Sequence, residues 1–402
     1  MNRSTHGSIL IVGGGPVGLM LAIRLRMLGI ECRIIDKRAE PDMHSKALSL
    51  SSATLELFDQ QIGITDELLE LSYPNATVHI HWNGRPLHRV SLGSVPSRFS
   101  YYLMVPQYET ERLLRERLAE LGGIIERGVE LVALSQVRDR VLVTTTSGDG
   151  GQETRFFDFV VGCDGARSTV RDLVGIKFLG HDYGMFFAMC DAPISWPGRA
   201  GKMIYSITDR GFAISIPMTN GIHRVVISGK GKLDRERPWG PEDFRARLDE
   251  LGLQDLVPGE SIWSSAAPIF NRLACRFRSG HVLLAGDAAH TFSPIGGQGL
   301  NTGVQDAAAL AWRLAAVLHG EADEAVLDDY SEERRAYAAE VRRWTDELTR
   351  LIARIDRNEA GALRHFLPSA RGGAFLAEVL PLRLAGLAGL AGVDEDSGSS
   401  AA

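Results

Sequence analysis

The feature that most constrains this chain is the run from Ser8 to Asp36, SILIVGGGPVGLMLAIRLRMLGIECRIID. Ile9 to Val12 is a short apolar, β-branched run suited to a buried parallel strand. Gly13, Gly15 and Gly18 follow at once. Residues 19–28 then carry apolar side chains at helical spacing up to Gly29, and residues 32–35 begin a second strand that ends in Asp36. Each part has a physical task in a dinucleotide site. Gly13 lets the chain turn tightly off the strand, Gly15 removes a side chain where a pyrophosphate approaches the backbone, and Gly18 lets helix and sheet pack closely. The helix N-terminus then offers unpaired N–H groups to phosphate. Asp36 stands where a carboxylate accepts hydrogen bonds from a ribose. That acid favours an unphosphorylated adenosine ribose, whereas Lys37 and Arg38 directly after it suit a 2′-phosphate, and the residues alone leave both open.

Other functions are disfavoured by the rest of the chain. With 402 residues there is room for two or three domains. The net charge of −6 gives no basic surface for nucleic acid. Cys32, Cys163, Cys190 and Cys275 form no CxxC pair, so they read as buried thiols in a reducing, cytoplasmic setting and not as a disulfide frame. His79 and His81 share one strand face without a Cys or acid at ligand spacing; they read as surface histidines, and no metal site is expected. The first apolar stretch runs into the glycine turn and is committed to the fold, so it is not a signal peptide. Glycines, prolines and polar residues interrupt the long uncharged runs, so no integral membrane segment is expected.

Along the chain the texture changes twice. Residues 52–60 and 107–121 have helical patterns, the second ended by Gly122 and Gly123. Between them, a β excursion near 72–105 centres on Val78, Ile80 and Trp82. Residues 124–132, 140–146 and 156–163 read as strands, the last delivering Asp164 and Gly165 at its C-terminal end, where open α/β sheets place ligand groups. From 178 to 273 the pattern is short strands and turns with one helix over 241–251. An antiparallel sheet fits, and it would wall a substrate cavity lined from among Met185, Phe187, Met203, Tyr205, Phe212, Ile214 and His223. The nucleotide texture then returns: a strand over 281–285, Gly286-Asp287, a loop of little bulk, and helices over 302–319 and 330–355. Residues 375–393 read as a helix packed on the body and 397–402 as a disordered tail. The expected division is 1–177 and 274–345 as two parts of one nucleotide domain, 178–273 as the inserted β domain, and 346–402 as C-terminal helices and tail.

GGGPVG at Gly13 to Gly18, CDGARSTVR at Cys163 to Arg171, and GDAAHTFSPIGGQGLNTGVQDAAALAWRLA at Gly286 to Ala315 agree in order and spacing with one family. The chain resembles the FAD-dependent aromatic hydroxylases of the para-hydroxybenzoate hydroxylase type, the single-component flavoprotein monooxygenases. DYSEERRAYA at Asp329 to Ala338 is similar to that family's helix after the last motif. The resemblance covers about residues 9–344. It implies an α/β fold: an FAD-binding βαβ domain of the glutathione-reductase-like Rossmann variant, an inserted antiparallel β-sheet substrate domain, and C-terminal helices. It also implies FAD as cofactor, NADPH or NADH as reductant, O₂ and a small aromatic substrate as partners, and a monomer or homodimer. The implied reaction is hydroxylation of a phenolic or polyketide-like aromatic through a flavin C4a-hydroperoxide.

Residue by residue, the resemblance assigns Gly13, Gly15, Pro16, Val17 and Gly18 to the first FAD motif, and Asp36 with Lys37 to the adenosine ribose. Gln107 would reach FAD from its helix. Asp164 and Arg167 would belong to the pyrophosphate and nicotinamide region, and Gly286 and Asp287 to the ribityl or phosphate region. Pro294 and the backbone of Gly296, Gly297, Gly299, Leu300 and Asn301 would face the isoalloxazine ring. Lys46 stands where relatives commonly carry an arginine, and an ammonium is a point charge without the guanidinium's fork. To raise the electron density of the substrate ring, Tyr205, Arg210, His223 and Arg224 are the nearest candidates, with Pro294 at the flavin face. Met, Phe and Tyr in the lining favour an aromatic of moderate or large size; a simple benzoate would call on Arg210 or Arg224. The same chemistry could serve an epoxidase or a Baeyer–Villiger-type oxygenase, and a flavin reductase is a further alternative. Flavin halogenases carry GWxWxIP, but residues 211–217 here lack both tryptophans. The thioredoxin-like C-terminal domain of the phenol and polyketide hydroxylase relatives is expected to be absent.

Overall fold

The computed structural model describes residues 8–43, 47–199, 201–229, 239–356 and 375–387. Strand β1 (Ile9–Val12) feeds helix α1 (Pro16–Met27) and strand β2 (Cys32–Asp36). Strand β3 (Ser49–Leu50) leads into α2 (Ser52–Gln61) and α3 (Thr65–Glu70), followed by β4 (Tyr73–Asn75), β5 (Thr77–Trp82), β6 (Arg85–Ser91) and β7 (Tyr102–Met104). After α4 (Gln107–Glu120) come β8 (Ile125–Arg127), β9 (Val129–Val137), β10 (Arg140–Ser147), β11 (Gln152–Phe157), β12 (Phe159–Gly162) and the short α5 (Thr169–Leu173). The inserted region comprises β13 (Phe178–Ser195), β14 (Met203–Thr208), β15 (Gly211–Pro217), β16 (Ile222–Gly229), α6 (Pro241–Glu250), β17 (Val257–Pro258) and β18 (Trp263–Ala274). Then β19 (Arg278–Ser279), β20 (Val282–Leu284) and β21 (His290–Thr291) return the chain to α7 (Gln298–His319) and α8 (Ala325–Asp356). A π-helical turn Phe375–Val379 and a helix Leu380–Leu384 close the described chain.

The first sheet runs β19-β20-β12-β1-β2-β8, and β1 pairs in parallel with both β12 and β2. All four β1 residues are buried, as an Ile-Leu-Ile-Val run in a sheet covered on both faces requires. The expected α/β class is what forms. Two sequence-read strands prove to be switch points between sheets. Gly128, at φ +69°, breaks 124–132 into β8 of the parallel sheet and β9 of the small β11-β10-β9 sheet. The 156–163 run is broken at Asp158, whose carboxylate accepts the Ser8 N–H at 2.6 Å, so Phe157 and Phe159 serve different sheets.

The second large sheet differs from expectation in two ways. Its spine is long: β13 has eighteen residues and pairs antiparallel with the twelve of β18. The excursion near 72–105 is no separate feature, because β5 pairs in parallel with β14 and carries β6 into the same sheet. That pairing buries His81, against the surface position expected of it, and leaves His79 half-buried. Cys275 is exposed, so not all four thiols are buried. Alternation gives the inserted sheet two faces. Phe186, Ala188, Ile204, Val225 and Ile227 pack on Phe244 and Leu248 of α6, while Phe187, Met189, Phe212, Ile214 and Val226 pack towards Ile295.

Leu376, Leu380 and Leu384 of the closing segment pack with Trp344 and Met104, and Ala53 N–H donates to Ala385 O at 3.0 Å. The expectations for 388–393 and for the tail lie outside the described residues, as does Lys46. Among the described residues no helix is long and apolar enough to cross a membrane.

Candidate active site

Geometry distinguishes the three glycines after β1. A Cβ on Gly13, which sits at φ +112°, would lie 2.3 Å from the Cys163 carbonyl oxygen, and one on Gly18 would lie 2.0 Å from the Gly13 carbonyl oxygen. A Cβ on Gly15 would meet nothing within 4 Å. Gly15 thus leaves open space directly before the first turn of α1, where the N–H groups lack intrahelical acceptors. A diphosphate fits that opening. At the end of β2, Asp36 is 5% exposed and accepts from Gly14 N–H at 2.9 Å and Arg38 N–H at 2.9 Å. Burial opposes its ionisation, but the Arg38 N–H and guanidinium with the Gly14 N–H outweigh it and hold the carboxyl below its usual range. It is a charged acceptor ready for a ribose. Lys37 is exposed. Gln107 at the start of α4 accepts from Ala47 N–H at 3.1 Å and donates to Glu111 at 2.9 Å, so its amide ties α4 to the loop before β3.

The second glycine–acid turn is built on a buried hub that sequence reading missed. Gly286, at φ +60°, donates its N–H to Asp306 Oδ2 at 3.0 Å. His290 Nε2–H donates to the same oxygen at 2.6 Å, and Arg334 Nε–H donates to Oδ1 at 2.7 Å. Asp306 is fully buried; desolvation pushes its pKa up, but His290 and Arg334 overcome this and keep it below the usual range. His290 therefore supports the turn. Val17 fills the notch between the two motifs: Cβ atoms on Gly286 and Gly303 would come within 2.8 Å and 2.6 Å of its methyl group. Asp287 is exposed at the tip of the turn, and one of its oxygens lies 3.9 Å from the Cβ position of Gly299.

Gly296 and Gly297 take positive φ values of +85° and +63° to turn the chain into α7. The Gly296 carbonyl accepts from Tyr102 Oη–H at 2.9 Å and from Gln298 Nε2–H at 2.8 Å, while Gly297 N–H donates to Pro294 O at 3.0 Å. Pro294 is exposed, and Gly299 and Leu300 lie half-buried in the first turn of α7. The Asn301 side chain is engaged within the protein: it donates to Ser49 O and Gly297 O and accepts the Ser51 N–H.

Asp164, at the end of β12, accepts from Ser168 Oγ–H at 2.5 Å and from Val170 N–H at 3.1 Å, so its carboxylate organises its own loop. Burial pushes its pKa up. Arg171 donates to Ala288 O at 3.1 Å and to Ala166 O at 3.2 Å, and joins this loop to the second motif. Arg167 is exposed and has no hydrogen-bond or ion-pair partner among the described residues, beside a Gly165 whose Cβ position is open.

The inserted sheet supplies an apolar wall. Register aligns Tyr205, Ile214, Val226 and Met189 across β14, β15, β16 and β13. Phe187 and Phe212 meet edge to face at 5.0 Å on the same side, and Ile295 of the loop before α7 packs into this cluster. Burial pushes the Tyr205 phenol up to about 12, against the opposing hydrogen bond from the Gly296 backbone, so its hydroxyl sits at the loop that turns into α7. The structure corrects two candidates. Arg210 lies exposed in the β14–β15 turn and donates to Glu250 O at 3.1 Å, at the C-terminal end of α6. His223 is 3% exposed on the α6 side of the sheet, in the alternation of Val225 and Ile227, with Nδ1 2.9 Å from Ser215 Oγ. Burial pushes it down to about 4, so it is neutral. Arg224, the next residue, faces the apolar wall, where Asp191 takes its guanidinium in two hydrogen bonds of 2.7 Å each. Met203 joins a neighbouring cluster with Trp344.

Of the residues missed, Asp306 and Asp191 carried one kind of signal. Each is a charge at an inward position of an otherwise apolar periodicity, Gly303-Ala307-Leu310 on α7 and Phe187-Met189 on β13. Such a charge must be paired.

Residues 7–345 match the protein family described as FAD binding domain. The chain is similar to the 12-dehydrotetracycline 5-monooxygenase/anhydrotetracycline 6-monooxygenase of Streptomyces rimosus, at 38% identity over 350 residues, which is 84% of this chain and 68% of that protein. Among solved structures it is similar to the anhydrotetracycline hydroxylase OxyS of Streptomyces rimosus, with a TM-score of 0.77 at 34% identity, covering 96% of this chain and 76% of that one. It is also similar to the Diels–Alderase PyrE3 of pyrroindomycin biosynthesis, with a TM-score of 0.78 at 31% identity, covering 94% and 80%.

Proposed function

This chain belongs to the FAD-binding-domain family of flavin-dependent aromatic monooxygenases, and we propose that it hydroxylates a phenolic or polyketide-like aromatic with NAD(P)H and O₂. The observation that carries this reading is a meeting of parts. Two glycine–acid motifs from opposite ends of the chain interlock at Val17, and an apolar sheet face packs onto the loop that opens α7.

When bound, FAD supplies the redox chemistry, namely electron uptake from NAD(P)H and oxygen transfer at C4a. The protein binds, orients and excludes water. The opening at Gly15 with the first turn of α1 would take the diphosphate, Asp36 the adenosine ribose, and Asp287 with Gly299 and Leu300 the ribityl side of the flavin. The unpaired N–H groups of α7 would favour negative charge gained by the ring system on reduction. Arg167, exposed and without a partner among the described residues beside Gly165, would serve the nicotinamide donor. The wall of Phe187, Met189, Phe212, Ile214 and Val226 would hold an aromatic substrate and keep water away. Tyr205, Arg224 and Pro294 are the catalytic candidates this reading retains, because Arg210 and His223 lie away from the wall.

Stopped-flow flavin reduction by NADPH and NADH, with and without phenols and polycyclic phenols, followed by mass analysis under ¹⁸O₂, tests the proposal. Ligand-stimulated reduction with one labelled oxygen in the product is expected. The similarity to a Diels–Alderase supports a second reading, a cyclase that holds FAD without using its redox chemistry. Bound FAD with no ligand-stimulated reduction and no label would favour that reading.

A further inference from the structure

One row of the apolar wall is not apolar. Strand register places Ile216, Arg224, Asp191 and Trp263 side by side across β15, β16, β13 and β18. The row beside it holds Ile214, Val226 and Met189, so alternation puts Arg224 and Asp191 on the face that packs towards Ile295. Arg224 is 2% exposed. Its Nε–H and Nη2–H each donate to one oxygen of Asp191 at 2.7 Å, and its guanidinium carbon lies 5.0 Å from the centre of the Trp263 ring.

A buried arginine fork on the wall of an aromatic site is the group that would receive a substrate carboxylate, in two parallel hydrogen bonds. Here that edge of the fork is already taken by a carboxylate of the protein. An incoming aromatic acid would have to displace Asp191, leaving one buried carboxylate without its partner. An uncharged ring has nothing to displace. We propose that Asp191 is a specificity-determining residue: by occupying the Arg224 guanidinium, it makes this site reject aromatic substrates that carry a carboxylate beside the reacting ring and accept uncharged ones. The inference rests on the reading of this sheet face as the substrate wall.

The test uses 1-hydroxy-2-naphthoate and its methyl ester as probes, titrated into the FAD-loaded protein and read by perturbation of the flavin absorbance. The native chain is expected to bind the ester about tenfold or more tightly than the acid. Asp191→Asn keeps the shape and removes the charge, and it is expected to reverse the preference by shifting the ratio towards the acid about a hundredfold. Adding Arg224→Met to that variant should abolish the gain. Asp191→Ala replaces the asparagine variant if the latter loses FAD; loss of FAD by both would make the pair a structural prop and overturn the inference. Equal binding of acid and ester by the native chain, or an unchanged ratio in an FAD-loaded Asp191 variant, overturns it too. If the chain oxygenates a phenol but shows no such discrimination, this inference alone fails. If it binds FAD but neither probe, the reading of the wall fails with it.

Discussion

At the scale of single residues, the charged groups that matter are those whose burial is compensated. Asp306 is held by His290, Arg334 and Gly286 N–H inside a fully buried hub. Arg334→Met would leave a buried carboxylate short of one of its two counter-charges, and removing one member of such a pair costs about 3–5 kcal/mol. A fall in the denaturant midpoint of the FAD-loaded protein with an unchanged slope is the expected result. His223 makes a different prediction. Its folded pKa lies at about 4, below the ordinary 6.5, so the unfolded chain binds the proton first as pH drops. The stability that depends on neutral His223 is present above pH 6.5 and is lost as pH falls towards 4. His223→Gln should flatten that part of the stability profile in chemical denaturation from pH 7 to 4.5. Asp36, whose folded pKa is lowered, loses its contribution only at still lower pH, as the carboxyl protonates.

At the scale of elements, the site is the place where α1, α7 and their two turns interlock. Gly15→Ala adds a methyl group into open space at a φ of −81°, so thermal unfolding without FAD should change little. The same methyl intrudes on the diphosphate opening, and FAD affinity measured by flavin fluorescence should fall about tenfold or more. Gly303→Val tests the packing instead. A Cβ there already lies 2.6 Å from a Val17 methyl group, and overpacking of this kind costs about 1–3 kcal/mol whether or not FAD is present. Elements were legible where their signal is local. The glycine turn and the apolar run over 19–28 predicted α1 to within a few residues, because turn chemistry and periodicity are short-range effects. Strand boundaries were less legible: Phe156 to Cys163 reads as one apolar run, yet the carboxylate of Asp158, bound to Ser8 N–H, splits it between two sheets.

At the scale of the whole molecule, the closing segment braces the loop that turns into α7. Gln298 donates to Leu384 O at 3.3 Å, Tyr337 Oη–H donates to Gly386 O at 3.1 Å, and a Cβ on Gly296 would lie 2.7 Å from the Trp344 ring. A chain ended at residue 374 would expose Trp344, Met104 and the underside of that loop. Faster loss of FAD on gel filtration and new protease cleavage between 292 and 300 are the expected outcomes. The sequence by itself determined the glycine turns, the acid at the end of β2, the second glycine–acid motif and the family, because these depend on residues close together in the chain. Only the tertiary structure decided which side chains of the inserted sheet face the loop before α7. His223 and Arg224 are adjacent and were equal candidates, but a pleated strand turns neighbours to opposite faces, and long-range pairing with β13 and β15 chose which face meets the loop before α7. The same pairing brought Asp191 from β13 onto Arg224, so the charge available in that wall was settled by register, which no local pattern encodes.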